Sequence, residues 1–236
     1  MKKYKLFTAI FYLLAVSCNQ QGGANMKIHP PQIGVNLDTL RVVKEFKGLY
    51  MNDGKNQLFI SCDHPEVKHL IENKSHQADT ILKSILPHAY PGEAIYMEIK
   101  AEINPSPDPQ FLDLLVVKEF GKAEQKNRKN TCIPYDYWCT GTEPFWQLQI
   151  SEKENLIDFY DPMKQTTRHF NYSQPQVLNG TIVFIAKNSS GYISIKITNE
   201  KCSDGMSDKQ YSCKAEVVID KNEYQGCASR YGEAIN

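Results

Sequence analysis

The stretch Ala94-Ile-Tyr-Met-Glu-Ile-Lys-Ala-Glu-Ile103 decides how the first half of the chain folds. Apolar side chains occupy every second position from Ile95 to Ile103, and mostly polar side chains occupy the positions between them. Successive side chains of a β-strand point to opposite faces, so this alternation predicts a strand buried on one face. The neighbouring segments should therefore supply the rest of a sheet over a core.

A hairpin is predicted before this strand and a closing strand after it. Asp53-Gly54 lies between two runs rich in β-forming residues, 46–51 and 57–62, which is a strong hairpin signal. After a proline-rich loop, the apolar run 111–120 is predicted as the closing strand.

One helix is predicted between the hairpin and the alternating strand. Apolar residues recur at spacings of three and four within 65–86, namely Val67, Leu70, Ile71, Ile81, Leu82 and Ile85. Pro87 should end the helix. Hairpin, helix, long strand and closing strand over residues 37–121 predict a small OB-like barrel.

The second half of the chain shows repeated short strands. The polar stretch 122–131 is predicted as a linker, 132–231 as an antiparallel β-barrel domain, and 232–236 as a tail. Turn signals such as Asn179-Gly180 separate the apolar runs. The predicted strands are 146–150, 156–160, 181–187, 192–198, 214–220 and 224–227.

Composition excludes several classes of protein. The 236 residues carry 27 Lys+Arg and 27 Asp+Glu, and 41% are hydrophobic. Neither sign of charge is in excess, and the lysines are not interleaved with aromatic residues, so no nucleic-acid partner is expected. Motifs of nucleotide-binding loops, serine hydrolases and zinc proteases are missing from the sequence, so we assign no catalytic residue, no metal ligand and no cofactor.

The first residues have the pattern of an export signal. Three lysines within 1–5 precede a short apolar run, 6–16, which is too short to span a bilayer. Residues 1–17 are therefore predicted to be a signal peptide. The sequence Leu14-Ala-Val-Ser-Cys18 resembles the lipobox of bacterial lipoproteins, which implies cleavage before Cys18 and its lipidation. The glycine- and proline-containing segment 18–36 would be the lipidated N-terminus and its linker.

The resemblance to a lipobox also implies a location. A lipidated Cys18 would anchor the protein at a membrane of the cell envelope. No acidic run follows Cys18, which favours the outer membrane with the body of the protein facing the periplasm. The expected partners are the membrane itself and a small ligand or an envelope protein.

Six cysteines remain after Cys18, an even number that suits an oxidising compartment. None has C-x-x-C spacing, so structural disulfides are favoured over a zinc or redox motif. Spacing alone does not choose among the 15 possible connectivities. A soft-metal site at Cys62-Asp63-His64 is the alternative to a solvated loop. The six are Cys62, Cys132, Cys139, Cys202, Cys213 and Cys227.

Three blocks in the second half carry a family resemblance. Glu143-Pro-Phe-Trp146, the segment 202–211 with Cys202-Ser-Asp-Gly-Met-Ser-Asp208 and Tyr211, and Gly226-Cys-Ala228 occur in that order. They resemble an uncharacterised bacterial envelope-lipoprotein domain with the blocks EPFW, C-x-DGMSD-x-x-Y and GCA. The resemblance implies a disulfide between Cys202 and Cys227. It carries no known activity.

The first half resembles another envelope family. Gly48-Leu-Tyr, then Phe59-Ile-Ser-Cys-Asp63, then the segment 91–100 resemble the OB-type domain of NlpE-like envelope lipoproteins, which are known for copper tolerance and envelope-stress signalling. The paired C-x-x-C cysteines of that family are missing here, so a copper site does not carry over. Together, these patterns predict a mainly β protein, with an OB-like small barrel containing one helix followed by a disulfide-pinned antiparallel β-barrel.

The blocks also supply the candidate site. Asp204-Gly205 with its neighbouring hydroxyls suits a tight turn, and the order of an EF-hand calcium loop is missing. The alternative is a ligand site at the mouth of the barrel. Trp146 also belongs to an alternation with Leu148 and Ile150 that predicts a core position, with Phe145 on the other face. The candidate ligand-binding residues are Glu143, Trp146, Asp204, Met206 and Asp208.

These expectations point to binding rather than catalysis. The favoured function is a membrane-anchored bacterial envelope lipoprotein that acts as a non-catalytic binding or envelope-stress sensing module. One alternative is a hydrolase using Glu143 with Asp204 or Asp208 as acid and base. The other is a scaffold or assembly factor for envelope proteins.

Overall fold

The structure is a computed structural model that describes residues 42–72, 75–189, 191–206 and 208–235. The predicted signal peptide, Cys18 and the linker up to residue 36 lie outside these residues. No helix of the described part is long and apolar enough to cross a membrane.

The first half of the described chain forms a closed five-stranded barrel with the strand order β1-β2-β3-β5-β4. One helix packs against it. Only the pairing of β3 with β5 is parallel. The elements are β1 Val43–Asn52, β2 Gln57–Ser61, β3 Lys68–Glu72, α1 Gln77–Ile85, β4 Ala94–Pro105 and β5 Asp113–Gln125.

The predicted hairpin and alternating strand are both confirmed. β1 and β2 pair in antiparallel register around Asp53-Gly54, where Gly54 adopts a positive φ of 90°. The Asp53 carboxylate accepts the backbone N–H groups of Lys55 and Asn56, which closes the turn. In β4, Ile95 and the alternate residues up to Ala101 are buried in the barrel core.

The prediction that Leu70 and Ile71 belong to the helix is wrong. Leu70 and Ile71 belong to strand β3, and the helix begins only at Gln77. The spacings of three and four therefore combined residues from two different elements. β3 is required here because it pairs with both β2 and β5 and so closes the barrel. The second part of the predicted helix, with Leu82 buried, is confirmed.

The closing strand β5 is longer than expected. It runs from Asp113 to Gln125, and Gln125 still pairs with Ile95 of β4. The strand thus continues into the segment that was predicted as a linker. Its polar composition reflects exposure, because a strand at the surface of a barrel needs only one apolar face.

The second half forms a curled antiparallel sheet of nine strands in the order β10-β11-β12-β15-β16-β6-β7-β8-β9. A separate two-stranded ribbon, β13-β14, lies beside it. The predicted fold class, a mainly β protein with a small one-helix barrel followed by a disulfide-pinned antiparallel β-barrel, is confirmed, and the second unit takes the form of a half-barrel. The strands are β6 Tyr137–Thr142, β7 Phe145–Ser151, β8 Leu156–Asp161, β9 Thr166–Asn171, β10 Gln176–Leu178, β11 Thr181–Asn188, β12 Gly191–Thr198, β13 Cys202–Ser203, β14 Gln210–Tyr211, β15 Cys213–Ile219 and β16 Asn222–Ser229.

The concave face of this sheet encloses the second core. Trp146, Leu148 and Ile150 of β7 all point into it, as their alternation predicted, whereas Phe145 is 55% exposed. Alternating residues of β12 and β15 complete this core. Burial of apolar area at about 25 cal/mol per Å² is the main force that holds such a sheet curled.

The described residues contain two of the disulfides expected from the six cysteines, and the bond implied for Cys202 and Cys227 is one of them. Cys62 bonds to Cys132, and Cys202 bonds to Cys227. The first ties the barrel to the segment that leads into β6. Cys139 and Cys213 are free and buried, one on each side of Ala228 across neighbouring strands.

The outer face of the barrel is covered next to the first disulfide. Leu49, Met51, Leu58 and Ile60 point away from the barrel core, yet each is buried in a small cluster that includes Ile133. The segment before β6 therefore packs on the outer face of the barrel.

Candidate functional site

The three sequence blocks come together in space. The block 143–146 forms the two-residue turn Glu143-Pro144 between β6 and β7 and the start of β7, and the Cys202–Cys227 disulfide joins the block 202–211 to the block 226–228. Gly226 lies against the ring of Trp146. A Cβ at Gly226 would be 2.8 Å from Cζ2 of Trp146 and would overlap the carbonyl oxygen of Thr140. Only glycine allows the strand and the indole to approach this closely.

Side chains of described residues in the block 202–211, together with Thr142 of β6, hold this block in place. The Asp204 carboxylate accepts the backbone N–H of Met206 at 3.1 Å and the hydroxyl of Tyr211 at 3.4 Å. The backbone carbonyl of Asp204 accepts the hydroxyl of Thr142 at 3.0 Å. These contacts fix the loop across the end of β6 and correspond to the tight-turn interpretation of this block.

A surface hollow of ≈ 410 Å³ opens between these blocks, and we call it the motif hollow. Glu143, Asp204 and Met206 line it, together with the Cys202–Cys227 disulfide. Three of the five candidate ligand-binding residues therefore share one surface.

The other two candidates lie elsewhere. Trp146 is 1% exposed and stacks on Phe159 in the core, at a centroid distance of 5.7 Å. It supports the hollow from below rather than lining it. Asp208 is exposed and does not line the motif hollow.

A larger cavity of ≈ 660 Å³ lies between the barrel and the curled sheet, and we call it the barrel–sheet cleft. Leu58 and Ile60 of β2 form one side of its floor, and Ile133 and Leu156 form the other. These side chains are almost fully buried, and Leu58, Ile60 and Ile133 belong to the apolar cluster on the outer face of the barrel.

Charged groups of both signs surround this floor. Lys68 and Glu66 belong to the barrel side, whereas Lys153 and Glu154 belong to the β7–β8 turn. Glu154 also accepts the ammonium of Lys126 at 2.8 Å, and both side chains are 11% exposed. This ion pair fixes the turn against the end of β5.

One wall of the cleft is a polar cluster of aromatic and acidic residues. The hydroxyl of Tyr90 donates to Oδ2 of Asp158 at 2.6 Å, and Nδ1 of His169 is 2.7 Å from Oδ1 of the same carboxylate. The rings of Tyr90 and His169 stack with centroids 4.3 Å apart. The hydrogen bond that His169 donates to Asp158 raises the pKa of His169 above its usual value, and burial raises the pKa of Tyr90.

A second carboxylate supports this wall. Glu93 accepts the backbone N–H of Tyr90 at 3.1 Å and also the hydroxyl of Thr167. Burial raises the pKa of Glu93. The cluster thus joins the loop after α1 to the strands β8 and β9.

Aromatic, acidic and basic side chains line the cleft. Its described lining contains a histidine, a tyrosine, lysines and carboxylates, but no serine, threonine or cysteine that could serve as a hydroxyl or thiol nucleophile. The carboxylate of Asp158 is used to orient Tyr90 and His169. The arrangement can hold an apolar group on the floor and polar groups on the wall.

The wall residues were missed by the sequence analysis. Asp158 and His169 are directly paired across β8 and β9, and both face away from the core. A prediction of the strand 166–171 from the sequence would have brought Asp158 and His169 together as neighbours. Tyr90 lies 68 residues before Asp158, and no local pattern connects them.

The structure does not provide the free Cys62 thiolate that the alternative soft-metal site at Cys62-Asp63-His64 requires. The sulfur of Cys62 is bonded to Cys132 and is not a free thiolate. His64 faces Glu66, with 3.5 Å between Nδ1 and Oε1, at an exposed position.

Comparison with protein-family models, with characterised proteins and with solved structures finds no match for this chain.

Proposed function

We propose that this chain is a lipid-anchored lipoprotein of the bacterial cell envelope that binds a ligand in the barrel–sheet cleft without transforming it. The observation that carries the proposal is the cleft itself, a cavity of ≈ 660 Å³ between two β-units. Ligand pockets commonly measure about 300–1,000 Å³, and they occur preferentially where two structural units meet.

The lining of the cleft indicates the class of ligand. An apolar floor with Leu58 and Ile60 suits an apolar side chain, and lysines and carboxylates at the rim suit groups of both charges. The stacked rings of Tyr90 and His169 offer a flat wall. A short peptide segment has this combination of an apolar side chain and charges of both signs, and it is the ligand class that we propose.

Selection from a pool of random heptapeptides tests the proposal. The purified protein should retain a subset of peptides, identified by mass spectrometry, and Lys153→Trp should lose them because the indole would fill the cleft. Lys83→Trp is the matched control, since Lys83 is exposed on α1 and does not line the cleft. Equal retention by both variants, or no retention by the wild type, contradicts the proposal.

The anchor is part of the proposal and needs its own test. The lipobox-like sequence before Cys18 supports it. Cys18→Ser should move the protein from the membrane fraction to the soluble fraction of cells. If the variant remains with the membranes, the lipid anchor at Cys18 is refuted.

The hydrolase alternative would depend on Glu143 with Asp204 or Asp208. Asp204 accepts hydrogen bonds from Met206 and Tyr211 within its own loop, which supports a role in shaping that loop. Any turnover that Glu143→Gln abolished, with an unchanged unfolding midpoint, would favour the hydrolase over the binding protein.

A further inference from the structure

A basic hollow of ≈ 210 Å³ lies beside the motif hollow and shares no lining residue with the barrel–sheet cleft. Trp138 and Thr140 of β6 form its floor, on the face of the strand opposite to the core. Thr140 also lines the motif hollow, so the two hollows are neighbours.

Three positively charged residues from two segments converge on this floor. Arg128 and Lys129 come from the segment after β5, and Lys209 comes from the loop that precedes β14. No carboxylate is among the described residues that line the hollow. This arrangement concentrates positive charge in one small concave surface, although the sequence as a whole has no net charge.

Neutral donors accompany the charges. The amide groups of Asn127 and Gln147 and the hydroxyl of Thr140 line the same hollow. Tyr211 also lines the hollow, but its hydroxyl hydrogen is donated to Asp204 of the motif loop at 3.4 Å. Donors on several sides of a small cavity suit a tetrahedral group with several acceptor oxygens.

The positive charge of Arg128 acts on two neighbouring phenols. Burial raises the pKa of Tyr211, and the positive charge of Arg128 acts against that rise. The same charge acts on Tyr135. Arg128 itself is half-buried and lines the hollow.

We propose that the basic hollow is a binding site for a phosphate group, held by Arg128 and Lys129 over Trp138. Two cations favour a dianion over a monoanion, and a guanidinium offers two parallel donors to phosphate oxygens. The volume of ≈ 210 Å³ is smaller than that of a typical pocket for a drug-sized molecule, so the site takes a phosphate with a small substituent.

The two tryptophans of the chain provide the readout. Trp138 lines the basic hollow, whereas Trp146 is buried in the core of the curled sheet. In a nitrogen-15 spectrum, titration with inorganic phosphate at constant ionic strength should shift the indole N–H signal of Trp138 saturably. The signal of Trp146 should stay in place, and Trp138→Phe assigns the two signals.

Charge variants and a monoanion complete the experiment. Arg128→Gln should weaken phosphate binding by about tenfold or more. Lys129→Gln, at an exposed position, should also weaken phosphate binding. It replaces Arg128→Gln in the experiment if that variant does not fold. Lys187→Gln makes the same charge change outside the hollow and should bind phosphate as the wild type does. Acetate should shift the Trp138 signal far less than phosphate at equal concentration.

Two further probes identify the source of the phosphate group. Tighter binding of glucose 6-phosphate would identify a small soluble phosphate, whereas sedimentation with vesicles of phosphatidic acid that requires Arg128 would identify a lipid headgroup. The proposal is overturned if no probe binds, if acetate equals phosphate, or if both charge variants bind like the wild type. Peptide retention by the barrel–sheet cleft is measured separately, so failure at one site leaves the other unaffected.

Discussion

The hydroxyl of Tyr90 donates a 2.6 Å hydrogen bond to the carboxylate of Asp158. The first residue belongs to the loop after α1 of the barrel, and the second belongs to β8 of the curled sheet. Because His169 bonds to the same carboxylate and stacks on Tyr90, one cluster fixes the barrel loop against the sheet. Tyr90 and His169 of this cluster line one wall of the barrel–sheet cleft.

Removing the Tyr90 hydroxyl should destabilise the protein. Tyr90→Phe leaves Oδ2 of the part-buried Asp158 without its donor, which typically costs about 1–3 kcal/mol. The free energy of unfolding in urea measures the loss. Tyr96→Phe is the matched control, because its partner Glu98 is better exposed to water and the expected cost is smaller. Equal losses in the two variants would contradict the role given to Tyr90.

The His169–Asp158 pair should make stability depend on pH. Its hydrogen bond raises the pKa of His169 in the folded state, so the protonated form is favoured by folding. That stabilisation is fully present below the unfolded-state pKa of about 6.5, and it is lost as the pH rises through the folded-state pKa.

The difference in unfolding free energy between wild type and His169→Gln isolates this contribution. This difference should be larger near pH 6 than near pH 9, because His169 is protonated only at the lower pH. Glu93 titrates in both proteins, so its contribution cancels in the difference. A difference in unfolding free energy that grew with rising pH would contradict a raised pKa of His169 in the folded state.

Gly226 should not tolerate a side chain. Gly226→Ala forces a methyl group onto the Thr140 carbonyl and the Trp146 ring, which should cost about 1–3 kcal/mol or more. Chemical denaturation gives the value. Gly121→Ala is the comparison, because its Cβ would meet only Glu98 at 3.3 Å, and a near-neutral effect is expected there. If Gly226→Ala is as stable as the wild type, Trp146 does not pack as described.

The cysteines should fall into two chemical groups. Cys139 and Cys213 are fully buried, and burial raises the pKa of the Cys139 thiol, so neither should react with iodoacetamide in the native protein. Both should react after unfolding without reductant. Peptide mapping should show labelling at the other four described cysteines only after reduction, and earlier labelling of Cys202 or Cys227 would contradict their bond.

The sequence predicted those parts of the fold that local periodicity determines. The alternation 94–103 gave β4, and the Asp53-Gly54 turn gave the first hairpin. The same reasoning failed at Leu70 and Ile71, because a helical spacing can arise by chance across a strand and the helix that follows it. At such positions the strand pairing and burial in a closed barrel outweigh a helical spacing of apolar residues.

The candidate site was less accessible to sequence reasoning. The motif residues Glu143, Asp204 and Met206 do share a surface. The prediction that Trp146 is a core residue is confirmed. The wall of the cleft depends on Tyr90 and on the pairing of Asp158 with His169 across two strands, and that pairing requires knowledge of the register. Long-range register is not encoded in any one segment.

A methyl NMR spectrum recorded with and without the heptapeptide pool tests the central proposal most directly. The methyl signals of Ile60, Ile133 and Leu156, which lie on the floor of the barrel–sheet cleft, should shift with peptide in the wild type and not in Lys153→Trp. Unchanged signals at all three positions, or shifts confined to Met206 in the motif hollow, would contradict the proposal that this protein binds its ligand in the cleft.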